Sequence, residues 1–462
     1  MSALPTSAME FYALRDDRTN RCTSQRDYQD TGCVIRLAPR ASTTRTGQAA
    51  FLATANLLSR WCRRVDIIAP ASKLDPAFGV EDSELVEFAL CQMRDADPFG
   101  TFRRVEDDAA QGSVALCIGG GPPVDSALRS VFIDSRGWLA AVSLDLPIAL
   151  GVDTGGNCLG ALAAAALAVG QAFKLAIGMP ESQLLRSGIF DLFRLAWNDR
   201  ADAGDWPVDT EIGRILMVGA GSVGSSAAYC MRLANLKGHL TVLDKDCVKI
   251  ENLNRSPIFG CAGLGLTKAE ATFRFLRGST LECAPLPIWW NDFIAVWDRA
   301  RNPFDVWLPL ANEFGVRYAM QQNVPPLMVH ASTTANWGVN HARHIPASDD
   351  CLADRFPSQA TEKDLACATG KVTVQDVTVD AALPFCSFFA GLLVAADLVR
   401  GNLAGYPQVA NFALFDWFGP MNTIHAWDRK PRPECICRQQ RRSFHSHFNA
   451  ATRYWPVFRF DA

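Results

Sequence analysis

The chain has 462 residues, 49% of them apolar and 20% charged, with a formal net charge of −3. That length allows two or three domains with sizeable cores. The near-neutral balance leaves no basic surplus for nucleic acid.

The start, Met1-Ser-Ala-Leu-Pro5, lacks the basic head and apolar run of a signal peptide, which points to the cytoplasm. The most apolar stretches, residues 159–170 and 383–398, fall short of the roughly 20 residues that span a bilayer. Both read as buried helices. Fifteen cysteines without a secretory signal argue against a disulfide framework. Most, such as Cys62, Cys117, Cys158 and Cys230, read as buried thiols.

In chain order, residues 47–61 read as a helix and 65–68 as a strand. Residues 114–118 and 147–152 are further apolar strands, and 158–174 is a long Ala-rich helix. The polar, acidic stretch 197–207 then reads as a linker. A second series follows. Residues 214–219 form a strand, 222–235 a helix and 240–243 a strand; 305–310 and 327–331 are strands, and 384–400 is a long apolar helix. The two series share a rhythm. The expected fold class is α/β, with two Rossmann-like units in pseudo-symmetric tandem, residues 1–200 and 201–462. The second carries a cysteine-bearing insertion over 332–383. The alternative is two unrelated α/β domains.

The chemistry lies in the second unit. Arg214-Ile-Leu-Met-Val-Gly-Ala-Gly-Ser-Val-Gly224 places three glycines between a strand and a helix. Gly219 permits the tight turn, Gly221 a close approach to ligand, and Gly224 close helix–strand packing. Phosphates bind at such a helix start. Asp244, at the end of the next strand, can accept ribose hydroxyls. NAD and ATP satisfy these residues equally. Downstream come Asp246, Asn252, Arg255 and Lys268. Carboxylate attack on an α-phosphate builds negative charge on phosphorus oxygens and pyrophosphate, and Arg255 and Lys268 offer fixed positive charge there. Asp246 offers an oxygen ligand for Mg2+. A dehydrogenase needs no such cationic pair. The first unit has Thr43-Thr-Arg-Thr-Gly47 in place of the glycine turn and Ala69-Pro70 in place of Asp244.

Leu243-Asp-Lys-Asp-Cys-Val-Lys-Ile-Glu-Asn-Leu-Asn-Arg255, followed by Gly265-Leu-Thr-Lys268, resembles the signature of the ubiquitin-activating enzyme superfamily and its MoeB/ThiF-type bacterial relatives. The likeness covers residues 210–405. It implies ATP-dependent adenylation of the C-terminus of a ubiquitin-like protein, with Asp244 on ribose and Asn252, Arg255 and Lys268 on phosphate. One departure stands out. Where the family has an Asp-Asn pair after the fourth strand, this chain has Asn312-Glu313. Asn312 keeps an oxygen ligand but brings no charge. The family pairs active with inactive copies, the inactive one lending an arginine to the ATP phosphates. The degenerate first unit fits the inactive copy, and Arg15, Arg18 and Arg45 are its candidate donors.

The resemblance also bears on the cysteines. Relatives hold a structural zinc with two Cys-x-x-Cys pairs. Here Cys351-Leu-Ala-Asp354 and Cys435-Ile-Cys437 stand in their places, giving Cys351, Asp354, Cys435 and Cys437 as the expected Zn2+ set; zinc accepts carboxylate oxygen. A decayed site with free thiols is the alternative. Relatives that form thioesters carry a cysteine in a loop before the closing helix. Cys367 matches it, with Cys386 at the helix start as runner-up. His341, Arg343 and His344 are candidates to line the substrate groove.

The resulting expectation is an activating enzyme that adenylates a ubiquitin-like protein, captures it on Cys367 and passes it to a conjugating enzyme, with neither membrane nor nucleic acid involved. The tandem layout resembles the activating component of bacterial ubiquitination-like operons linked to antiphage defence. The alternatives are a sulfur-carrier adenylyltransferase without thioester transfer, an NAD(P)-dependent oxidoreductase and a catalytically dead scaffold.

Overall fold

The structure is a computed structural model. It describes all residues except 1–4, 24–26, 79–81, 121–122, 125–127, 152, 154, 198–209, 299–303, 312–313, 324, 335, 347, 353–371, 375–376, 380–381, 402–408, 422–423 and 441–462.

The first half forms β1 (Gly32–Leu37), β2 (Arg64–Ile68), β3 (Thr101–Arg104), β4 (Val114–Ile118), β5 (Arg129–Arg136), β6 (Leu139–Ser143), β7 (Ser187–Asp191) and β8 (Ala196–Trp197). The second forms β9 (Glu211–Val218), β10 (Lys237–Leu243), β11 (Leu281–Leu286), β12 (Val306–Pro309), β13 (Met328–Thr333) and β14 (Gly338–His344). A separate hairpin, β15 (Val372–Val374) and β16 (Val377–Val379), precedes β17 (Phe412–Asp416) and β18 (Ile424–Trp427).

Two eight-stranded sheets result, ordered β3-β2-β1-β4-β5-β6-β7-β8 and β11-β10-β9-β12-β13-β14-β17-β18. The orders correspond position for position. In each, the first five strands are parallel and the last three antiparallel. The chain is therefore α/β with two Rossmann-like units of one topology. Each sheet reverses its winding at its first strand, where open α/β sheets place ligands.

Some expectations shift. Residues 147–151 make no strand. Pro147 lacks a ladder N–H, and the Leu150 N–H is taken by the Asp134 carboxylate at 2.9 Å. The expected insertion over 332–383 starts later, because β13 runs to Thr333 and β14 fills 338–344 as the counterpart of β6. The extra length lies in residues 345–383, set against 144–158 in the first half.

Two long helices form the seam. Leu159–Ala176 is apolar nearly all round, long and apolar enough by composition to cross a membrane, yet it lies inside the protein. An all-round apolar helix must be enclosed. Its partner Pro384–Arg400 is buried along its length, and both contribute to one core that joins the halves. Polar groups stitch the seam. Lys174 Nζ donates to Gly419 O at 2.6 Å, and Arg400 donates to Leu192 O and Phe193 O at 3.3 Å each.

Candidate functional site

The strand–turn–helix at the start of the second half is built by sterics. Gly219 has φ +98°, in the left-handed region, and an added Cβ would collide with the Ala311 backbone. At Gly224 a Cβ would strike Gly219 O. Gly221 has open space where a side chain would be and caps helix Ser222–Leu233 without a side-chain bond. The N–H groups of that helix's first turn therefore face the cleft unobstructed.

That turn opens onto a cleft of about 230 Å³. Gly219, Gly221, Asp244, Asp246, Asn252, Arg255 and Lys268 all line it; Gly224 packs behind the turn. Asn312, like Glu313, lies outside the described residues. Its neighbour Ala311 lines the cleft, tied to Val218 O at 2.7 Å.

Asp244 accepts from Ala220 N at 2.7 Å and Asp246 N at 3.0 Å. Burial raises its carboxyl above the ordinary value, against the pull of Lys268. Lys268 begins helix Lys268–Leu276, fixed by a capping box between Thr267 and Glu270, and its Nζ lies 2.8 Å from Asp246 Oδ2. Asn252 Oδ1 accepts from Lys249 N at 2.9 Å and closes the short turn Ile250–Asn252. Arg255 is mostly buried, with Nη1 donating to Glu251 O and to Asn254 Oδ1. The cleft thus places carboxylates at the end of β10 and two cations around the glycine turn. It can take a ribose on one side and phosphates on the other.

The first half contributes an arginine, and the structure separates the three candidates. Arg15 is wholly buried, with Nη1 2.5 Å from Asp97 Oδ2 and Nε 2.6 Å from Asp16 Oδ1. Arg45 sits beside Gly156 and Cys158 within the first half. Arg18, on the turn Asp17–Asn20, lines the cleft.

The matching end of the first sheet has its own hollow of about 220 Å³, bounded by Gly47, Gly119, Asp134 and Asp153. Its carboxylates are occupied by backbone: Asp134 accepts from Ser135 and Leu150, Asp153 from Gly137 and Gly155. Arg40 lines the same hollow, close enough to pull on the Asp134 carboxyl.

Other lining residues carried no sequence signal. Arg317 reaches in from helix Phe314–Gln322 and donates Nε to Ala311 O at 2.8 Å. Trp289 is 47% exposed, with Lys245 Nζ 3.9 Å from its ring centroid.

The cysteine expectations change in part. Cys351 and Cys437 come together, but the third group with them is His344. One donor atom from each lies within 4.8 Å of the others. Cys435 packs in the same buried cluster. Asp354 lies outside the described residues. His344 Nδ1 is 3.0 Å from Asp350 O, while Nε2 faces Cys437 Sγ at 3.2 Å and Gln321 Nε2 at 3.1 Å. A backbone acceptor on one nitrogen and a thiol on the other is how a metal-ligating histidine is oriented. One imidazole with buried thiols fits Zn2+.

His344 therefore does not line the groove, and neither do its neighbours. His341 is buried with Nε2 2.7 Å from Asp397 Oδ2, and Arg343 lies 3.5 Å from Asp349. Cys367 lies outside the described residues. Cys386 is 2% exposed, its thiol pushed well above the ordinary value by burial. It is not poised as a thiolate.

Residues 210–436 match the ThiF family, and residues 32–187 match the BilD N-terminal domain. The chain is 30% identical over 169 residues to the uncharacterized protein y4jF of Sinorhizobium fredii, covering 36% of this chain and 32% of that one. It is 32% identical over 74 residues to the Nedd8-activating enzyme E1 catalytic subunit of Drosophila melanogaster, 16% of each. It thus spans about a third or less of the length of these relatives. Among solved structures, E. coli MccB with ATP is similar at 14% identity and TM-score 0.37, over 48% of this chain and 66% of that one.

Proposed function

We propose, from the premise that residues 210–436 are a ThiF family domain of the superfamily that includes MoeB and the ubiquitin-activating enzymes, that this chain activates the C-terminus of a ubiquitin-like protein with ATP. One observation carries the reading: the glycine turn, Asp244, Arg255, Lys268 and Arg18 line one cleft. The match to the BilD N-terminal domain supports a bacterial ubiquitin-like operon as the setting; antiphage defence as its purpose belongs to the proposal alone.

Asp244 accepts the ribose hydroxyls. The first turn of helix Ser222–Leu233 donates N–H groups to phosphate oxygens. The substrate carboxylate attacks the α-phosphorus, the bond to the bridging oxygen breaks, and pyrophosphate leaves, giving an acyl-adenylate. Arg255, Lys268 and Arg18 meet the charge that grows on the phosphorus oxygens and leaving group. Before ATP arrives, Asp246 holds Lys268. Asp246, more than half exposed, is also the carboxylate that would hold Mg2+, which would supply further charge neutralisation.

Cys367 then attacks the acyl carbonyl as thiolate, AMP leaves, and a thioester remains for transfer to a conjugating enzyme. Ala382, fifteen residues after Cys367 in the chain, lines the cleft, and burial removes Cys386 as a competitor.

The test is ATP–pyrophosphate exchange with the ubiquitin-like protein encoded beside the gene, followed by non-reducing gels. Exchange together with a reducible adduct lost in Cys367→Ala supports the full sequence. Exchange without an adduct reduces it to adenylation, as in sulfur-carrier activation. No exchange overturns it.

A further inference from the structure

The loop that carries Arg255 is held from outside its own half. It runs over residues 253–259, after the turn Ile250–Asn252, and the first-half helix Arg45–Ser59 ends against it. Arg60, the C-cap of that helix, is 2% exposed. Its Nη1 donates to Leu253 O at 3.0 Å and Phe259 O at 2.6 Å, and its Nη2 to Pro257 O at 2.8 Å. Nε donates to Asn56 Oδ1 at 3.1 Å, and Asn56 Nδ2 donates in turn to Pro257 O at 3.0 Å. One planar guanidinium ties both ends and the middle of the loop. The compact ammonium of a lysine cannot span three carbonyls in this way. Just beyond the loop, Asp95 of the first half accepts from Ala262 N at 2.8 Å. Burial lowers Arg60 only to about 10, so it stays charged at neutral pH and suits the negative end of its helix. Arg60 itself does not reach the cleft.

We propose that Arg60 is a positioning residue for the phosphate chemistry: it fixes the 253–259 loop from the first half so that Arg255 stands at the glycine turn. The proposal rests on the nucleotide reading of the cleft. It gives the first half a second task beyond presenting Arg18, and it makes the docking of the halves a condition for a competent site. A misplacement of about 1 Å at a reacting centre costs on the order of 10²-fold in rate.

The test uses the full chain with Arg60→Met, Arg60→Lys and Asn56→Ala. The control is Arg232→Met, whose guanidinium bonds across the halves to Phe78 O at 3.2 Å and within its own half to Phe275 O, rather than to the loop. In ATP-free protein, hydrogen exchange is followed at Ser256 and Phe259, whose N–H groups bond to Asn252 O and Ser256 O. Exchange about tenfold or more faster in Arg60→Met, intermediate in Arg60→Lys and Asn56→Ala, and unchanged in the control is expected. In ATP–pyrophosphate exchange, Arg60→Met is expected to lower kcat about 10²-fold, while Arg60→Met/Arg255→Ala is no slower than Arg255→Ala alone. Loop amides at wild-type rates overturn the proposal, as do losses that multiply in the double variant. If Arg60→Met does not fold, Arg60→Lys and Asn56→Ala carry both arms. A wild-type chain without pyrophosphate exchange overturns the adenylation reading instead, and the amide rates still decide whether Arg60 clamps the loop.

Discussion

Asn254 donates its side-chain amide to Thr19 Oγ1 at 3.0 Å, across 235 positions of sequence. Both residues are buried. Each adjoins an arginine that lines the cleft, Arg18 on one side and Arg255 on the other. The contact registers the N-terminal segment of one half against the phosphate loop of the other, so the two guanidinium groups arrive together.

Arg18→Met is expected to slow ATP–pyrophosphate exchange about 10²- to 10³-fold, the usual cost of losing one group that stabilises developing charge. The unfolding midpoint should scarcely move, because Arg18 is partly exposed. Arg15→Met should do something different. It strands the buried carboxylate of Asp97, leaves Asp16 with Arg63 alone, and costs about 3–5 kcal/mol in urea unfolding. If Arg15→Met folds normally and Arg18→Met keeps full activity, the choice among the arginines is wrong.

Asp244 gives the cleft a pH dependence. Its carboxyl is raised by burial, so it protonates at a higher pH than a free carboxylate. A protonated Asp244 loses acceptor capacity for the ribose hydroxyls. ATP affinity should therefore fall on acidification, beginning above the ordinary range of about 4. Asp244→Asn should bind ATP about tenfold more weakly and lose this acid limb. Calorimetric ATP titrations repeated at successively lower pH check it. An acid limb that persists in Asp244→Asn assigns it to another group.

The parts of the site legible in sequence are those whose geometry is local. Gly219 and Gly224 answer to clashes within one βα turn, and Asp244 to its place at the end of the next strand. Lys268 was legible through the Gly265-Leu-Thr-Lys268 signature, and a capping box fixes the start of its helix. Arg18 was legible only as one of three candidate arginines and His344 only as a groove residue, while Arg317 gave no signal. Arg18 comes from the other half, Arg317 from a helix entering the cleft side-on, and His344 from the end of an antiparallel strand whose facing thiols lie far along the chain. None of these has a spacing that sequence can display. The repeat was legible as rhythm. Its full extent shows in the matching strand orders, where β1, β5 and β6 lacked a clean alternation to mark them.

The His344, Cys351 and Cys437 cluster predicts bound metal. Protein grown with zinc should carry about one equivalent by atomic absorption, and a strong chelator should lower its melting temperature. His344→Ala should lose the metal while leaving the cleft, which is lined by other residues, able to bind ATP. Because the cluster joins residues before and after the closing helix, metal loss should loosen 345–352 and 435–439 in hydrogen exchange ahead of the first half. Metal-free protein from zinc-replete cells, with an unshifted melting temperature under chelation, would leave the cluster as packed thiols.

Lys174 offers a stability test of the seam. It is buried on helix Leu159–Ala176 and donates to Gln183 O at 2.8 Å and, across the seam, to Gly419 O at 2.6 Å. Burial lowers it from 10.5 to about 8. In that window the unfolded chain holds the proton and the folded chain has released it. The unfolded state binds more protons, so this group makes stability rise with pH there. Below it both states are charged and the contribution is flat. Buried thiols such as Cys158, raised to about 12, act the other way, because the unfolded thiol ionises first. The total curve therefore mixes both signs, and only a difference isolates the lysine. Urea unfolding of wild type minus Lys174→Met should show a positive slope confined to that window, at most about 1.4 kcal/mol per pH unit. Parallel curves would mean that Lys174 keeps an ordinary affinity for its proton and that the seam is looser than its burial indicates.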